Sequence, residues 1–189
     1  LIPTIMIIAS QKRKENIAEY ILYMWQVEDM IRANGLDIER ITTNIIDRYP
    51  GLDEARRREM REWYESLIDM MRREDVAEKG HLQMNRNVLA NLVALHQALL
   101  ADPRFPEYTA LFYKTLPYIV ELRSKSGDAP AGEIETCFNA LYGMLMLRLT
   151  HKEVTKETSE AVAAISAFIA ALARNFHLDE ADKLFPPKD

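Results

Sequence analysis

Glu28 stands where a carboxylate has to be explained. Ile17, Ile21, Met24 and Ile31 recur at helical spacing and form one apolar stripe, and Glu28 falls in its middle. Arg32 follows one turn later on the flank of the stripe, beside Trp25. A carboxylate on a core face is costly unless it is paired. Two arrangements satisfy it. In the first, Arg32 or a group on another helix closes a structural ion pair that fixes helix register. In the second, Glu28 is a buried polar anchor for a small ligand. Glu15, Glu19 and Gln26 fall on the opposite, wet face and need no explanation.

His96 is the second such residue. It sits near the centre of a stripe made by Leu89, Leu92, Val93, Leu99 and Leu100, and Asn85 returns to the same side eleven residues earlier. A lone histidine on an apolar face is ordinarily a hydrogen-bonded core residue. The functional alternative has His96 facing Glu28 or Arg32 across a bundle, which would make a small acid–base site. Contact between Glu28 and His96 is the expectation that tests it.

The remaining chemistry is sparse. A di-iron bundle needs two Glu-x-x-His motifs and two further inward glutamates. Only Glu78-Lys-Gly-His81 matches, and Gly80 breaks the helix between its two ligands, so no metal site is expected. Cys137 lies among Ile134, Phe138 and Leu141 and reads as a buried, inert thiol. Arg148, on the same side, either reaches solvent past the helix end or neutralises a buried acid. Tyr20, Tyr23, Trp25, Tyr108, Tyr113 and Tyr118 suit a ligand pocket, a dimer face or plain packing. There is no nucleophile elbow, Walker loop or dinucleotide fingerprint, and no cofactor is expected.

The elements that must position these groups are helices. Glycine and proline divide the chain into seven stretches with helical periodicity, near 11–34, 37–49, 53–79, 81–101, 106–126, 132–150 and 155–177. Gly35, Gly51, Gly80, Gly127 and Gly132 fall between them, as do Pro50, Pro103 and Pro130, while Gly143 lies inside one. Pro117 sits inside the fifth and should kink or split it. Residues 1–10 read as an N-terminal extension and 178–189 as a C-terminal tail that frays at Pro186 and Pro187. Short connections favour antiparallel neighbours. The fold expected is all-α, a single antiparallel bundle of six to seven helices forming one domain over 1–189.

Charge and run length narrow the function classes. The 189 residues carry 24 basic and 29 acidic side chains, a net charge of −5, which argues against nucleic acid or an anionic membrane surface as the main partner. Arg56, Arg57, Arg58 and Arg61 do not change this, because residues 53–79 hold seven bases against nine acids. Arg58/Glu62, Arg61/Glu65 and Asp69/Arg73 are spaced i,i+4 and read as a solvated amphipathic helix. No apolar run is expected to approach the roughly 20 residues that span a bilayer. The apolar start, Leu1 to Ala9, has no basic residues before it, so a signal peptide is not expected, and the cytoplasm is the expected location. One cysteine excludes an intrachain disulfide.

The stretch Lys12-Arg-Lys-Glu-Asn-Ile-Ala-Glu-Tyr-Ile-Leu-Tyr-Met-Trp-Gln-Val-Glu-Asp-Met-Ile-Arg32 resembles the opening of a bacterial family of all-helical proteins, a domain of unknown function. The resemblance implies a bacterial intracellular protein with an all-α fold. It carries over no catalytic residue, cofactor or substrate.

The reading is therefore a non-enzymatic cytoplasmic interaction or scaffold protein. A homodimer is expected, because the apolar faces of the first, fifth and sixth stretches exceed what one bundle can bury. The alternative is a small-ligand-binding bundle with a buried polar cluster of Glu28, Arg32, His96, Asn85 and Trp25.

Overall fold

Asn16 ends one helix and begins the next. Its backbone is extended (φ −153°, ψ 100°), and its side-chain oxygen accepts from the amides of Ala18 and Glu19 at 3.1 and 3.2 Å. That is the N-cap arrangement, and it satisfies donors that have no partner inside the helix. The stretch expected as one helix over 11–34 is therefore two, α1 (Ile5–Glu15) and α2 (Ile17–Ala33). Residues 5–10, expected as an extension, belong to α1.

The structure, a computed structural model, describes residues 5–125, 127 and 131–185. The expected break at Pro130 and the closing Pro186 and Pro187 lie outside the described residues. Among the described residues every regular element is helical and none is a strand, so the fold is all-α. After α2 come α3 (Ile38–Asn44), a 3-10 turn (Ile46–Arg48), α4 (Glu54–Arg73), α5 (Gln83–Ala101), α6 (Pro106–Ser124), α7 (Glu133–Leu149) and α8 (Lys156–Glu180).

Several boundaries differ from the expected ones. The third stretch stops at Arg73 instead of running to residue 79. Asp75 takes a left-handed conformation (φ 57°), with its amide on the Arg72 carbonyl and the Val76 amide on the Met71 carbonyl. This is a Schellman close with aspartate in the place usually held by glycine. The fifth stretch is not split: α6 runs through Pro117 as one helix. The amide that Pro117 lacks would have served the Tyr113 carbonyl. Both residues are exposed, so water can replace the lost bond. The tail begins later than residue 178, since α8 runs to Glu180, Leu184 is buried, and the Phe185 ring meets Phe105 at 5.5 Å.

The helices group into two compact units, the first ending at Val88 and the second beginning at Leu89, inside α5. In the first unit, α1 packs on α2 and α4, and α3 packs on α4. Its core holds Ile17, Ile21, Met24 and Ile31 of α2, Ile41 of α3, and Met60, Tyr64, Leu67 and Met71 of α4. In the second unit, α6, α7 and α8 pack on one another. Phe112 and Ile119 of α6, Ile134 and Phe138 of α7, and Ile165, Phe168 and Leu172 of α8 are its fully or nearly fully buried layer.

α8 corrects the count of apolar runs. It has 25 residues and an 18-residue window of mean hydropathy 1.5, so by length and composition it is able to cross a membrane. Alanines supply much of that hydropathy. They do not stand out in a search for large apolar residues.

Candidate functional site

α2 builds the site along one face. Trp25, Glu28 and Arg32 are spaced i, i+3 and i+7, so all three project toward the same side. That side meets the segment linking α4 to α5 and the first turn of α5, all within the first unit.

Glu28 is fully buried, and three donors converge on its two carboxylate oxygens. Oε1 accepts from the backbone amide of Leu82 at 2.9 Å and from the side-chain amide of Asn85 at 2.7 Å. Oε2 lies 2.6 Å from Nδ1 of His81. Leu82 precedes α5, and its carbonyl accepts from the amides of Asn85 and Arg86. The Gln83 amide, next along, donates to Glu74 at 2.6 Å. Two carboxylates thus serve the N-terminal end of α5, where free amides and the helix dipole favour negative charge.

His81 is the residue that turns this anchor toward solvent. Its ring stacks on Trp25, with centroids 4.2 Å apart and planes 10° from parallel. Its side chain is 30% exposed, whereas that of Glu28 is 0% exposed. With Leu82 and Asn85 already donating to Oε1, the imidazole completes the set as a third donor through Nδ1–H. In the neutral ring this leaves the lone pair on Nε2. Nε2 makes no hydrogen bond among the described residues.

Arg32 does not pair with Glu28, contrary to one expectation. It donates to Asp29 at 2.9 Å, to the Val76 carbonyl at 3.0 Å, and to the Gly80 carbonyl. The two carbonyls flank a turn in which Gly80 has φ +88°, a conformation that suits glycine. Arg32 thereby fixes the loop that delivers His81, and so supports Glu28 indirectly. Two polar atoms of the cluster, Nε of Arg32 and Oδ1 of Asn85, are buried with no hydrogen-bond partner among the described residues.

His96 does not join this cluster. It lies in the second unit, where its Nδ1 is 2.8 Å from the Tyr108 hydroxyl. Its ring meets Phe112 and Phe168 edge-on, at centroid distances of 4.7 and 5.7 Å. Burial pushes its pKa below the usual histidine value, and the Glu133 carboxylate partly opposes this. The expected pairing of Glu28 with His96 is thus replaced by two separate bonds, Glu28 to His81 and His96 to Tyr108. Both histidines found polar partners, but each did so within its own unit.

Of the five expected site residues, Trp25, Glu28 and Asn85 come together, Arg32 braces the adjoining loop, and His96 stands elsewhere. His81, which the sequence offers only as half of a metal motif, is the partner of Glu28 that sequence reasoning does not supply. Among the described residues no group of three or more His, Cys, Asp or Glu side chains is placed to hold a metal ion. Cys137 is fully buried and its thiol is pushed up to about 12, chiefly by burial. Arg148 is exposed. Among the tyrosines, Tyr20 and Tyr108 are buried, Tyr113 is 61% exposed, and Tyr118 lines an open cleft with Leu122, Ala161 and Val162.

The profile of a family described as a domain of unknown function (DUF4924) matches residues 6–183. No curated protein matches the chain. No solved structure matches it either.

Proposed function

The chain belongs to the DUF4924 family, a domain of unknown function, and we propose that it is a non-enzymatic binding protein that receives a small polar ligand at His81. One observation carries this reading. A fully buried carboxylate holds Nδ1 of a partly exposed imidazole and leaves Nε2 without a hydrogen-bond partner among the described residues. Leu82 and Asn85 both bond Oε1 and fasten the start of α5, and Oε2 is left to His81. The third bond instead orients a surface group, and a preoriented group loses little entropy when it engages a ligand. Nε2 accepts from a hydroxyl or amide of the ligand, or donates to a carboxylate or phosphate once the ring is protonated.

Native mass spectrometry of gently purified protein tests the reading. The expected result is a discrete added mass on the native chain that is absent from His81→Ala, with the variant's helical circular dichroism unchanged. Added mass that persists in His81→Ala, or its absence from protein taken directly from the producing cells, would overturn it. The reading as an interaction protein rests on a different surface, the exposed side of α6.

A further inference from the structure

We infer that α6 is a self-association surface, on which a second copy of this chain packs antiparallel about a two-fold axis near Pro117. Tyr113 is 61% exposed and Val120 is 54% exposed. They are the two large hydrophobics of one helix so exposed among the described residues, and seven positions separate them, two helical turns on one side. Pro117 lies between them and is exposed, as are Ala110 and Ser124, one further i−7 and i+7 step along the same line. The side is therefore narrow and small along its centre line, which lets another helix approach closely.

The charges select a second copy as the occupant and antiparallel as its direction. Taking Pro117 as the centre of the face at 100° per residue, Tyr113 and Val120 fall on one flank. Lys114 and Glu121, both exposed, fall on the other. A two-fold axis perpendicular to both the helix and the line joining the pair keeps each flank on its own edge of the contact. Lys114 then meets Glu121 of the second copy, and Tyr113 meets its Val120. The reciprocal pair forms at the same time. The registers that align these two contacts differ by two residues, and an axis at Pro117 leaves each contact one residue out of line, a rise of about 1.5 Å, which is within side-chain reach. A parallel pair would carry each flank to the opposite edge and set Lys114 and Glu121 against Tyr113 and Val120 of the second copy, with no ion pair formed. Glu121 already bonds Lys125 at 2.6 Å on its own helix, and it keeps an oxygen for Lys114 of the second copy.

The experiment is sedimentation equilibrium on the full chain and four samples of its variants. Wild type is expected at twice the 21.8 kDa chain mass at micromolar concentration. Lys114→Glu and Glu121→Lys are each expected to weaken the dimer about tenfold, because each converts two complementary pairs into repelling ones. The double variant K114E/E121K restores the pairs with signs exchanged and is expected to return to near wild-type affinity. An equimolar mixture of the two single variants is expected to form mixed dimers in preference to either self-pair. A wild type that stays monomeric overturns the inference. So does a dimer whose affinity ignores both charge reversals, or one that the double variant fails to restore while Lys114→Glu and Glu121→Lys keep their helical signal. None of these readouts depends on His81, so failure of the ligand reading leaves this surface standing.

Discussion

At Glu28 the cost of a buried charge is met by three donors from one short segment, and removing the carboxylate strands all three. Glu28→Ala is expected to lower stability by roughly 3–5 kcal/mol in chemical denaturation, the range for breaking a buried ionic network. His81→Ala takes away one donor of three from a partly exposed edge, and about 1–2 kcal/mol is expected. Equal losses for the two would mean that the bond between His81 and Glu28 carries the whole contribution of the network. At His96 the linkage has the opposite character to that of a paired surface histidine. Its folded pKa lies below the ordinary 6.5, so on acidification the unfolded chain takes up a proton before the folded ring does. Its contribution to stability is complete above about 6.5 and is lost as pH falls through the folded pKa. Thermal melts between pH 7 and 4 should therefore show an acid-side decline that is shallower in His96→Gln. Glu28 is legible as a carboxylate on an apolar stripe, whereas the sequence sets Asn85 on the side of His96 and gives no sign that it bonds Glu28. His81 was not legible, because its partner is 53 positions away and it lies just before the first turn of α5.

Helix ends explain that omission. Glycine and proline located most of the breaks, including those beside Gly35, Gly51 and Gly132. The type of every long element followed from periodicity alone. The ends that differ, those of α4 and α8, are closed by a non-glycine residue in the left-handed position, although α7, closed in the same way, ends where expected. Asp75, His151 and Asp182 have φ of 57°, 53° and 55° and close α4, α7 and α8. Gly80 is the glycine nearest the end of the third stretch, but Asp75 closes α4 before it, and the segment between them leads to His81 without helix. The first stretch failed in the converse way, since Asn16 starts a new helix with neither glycine nor proline nearby. A non-glycine residue in this conformation carries a strain of roughly 1–2 kcal/mol that glycine does not. Asp75→Gly is therefore expected to raise the unfolding midpoint, by about 0.5–1 kcal/mol of stability after allowing for glycine's greater unfolded-state freedom. A loss of stability would show that the Asp75 side chain does something beyond closing α4.

The scale of the whole molecule raises the question of what surrounds α8, since its length and hydropathy suit a bilayer as well as a protein core. Its two sides answer differently. Ile165, Phe168, Ile169, Leu172 and Phe176 are buried, and α6 and α7 pack against this helix. Ala163, Ser166, Ala167, Ala170 and Arg174 are exposed. A helix used as the core of the second unit should be sensitive on the first side and indifferent on the second. Phe168→Ala is expected to cost about 3–5 kcal/mol through the cavity it leaves. Ala167→Lys is expected within about 0.5 kcal/mol of wild type, as for a surface change. A helix set in lipid reverses the second expectation, because a lysine near the centre of a span costs about 2.5–3.5 kcal/mol. Denaturant midpoints of these two variants, measured with the same preparation, separate a protein core from a membrane span by the residue pattern alone.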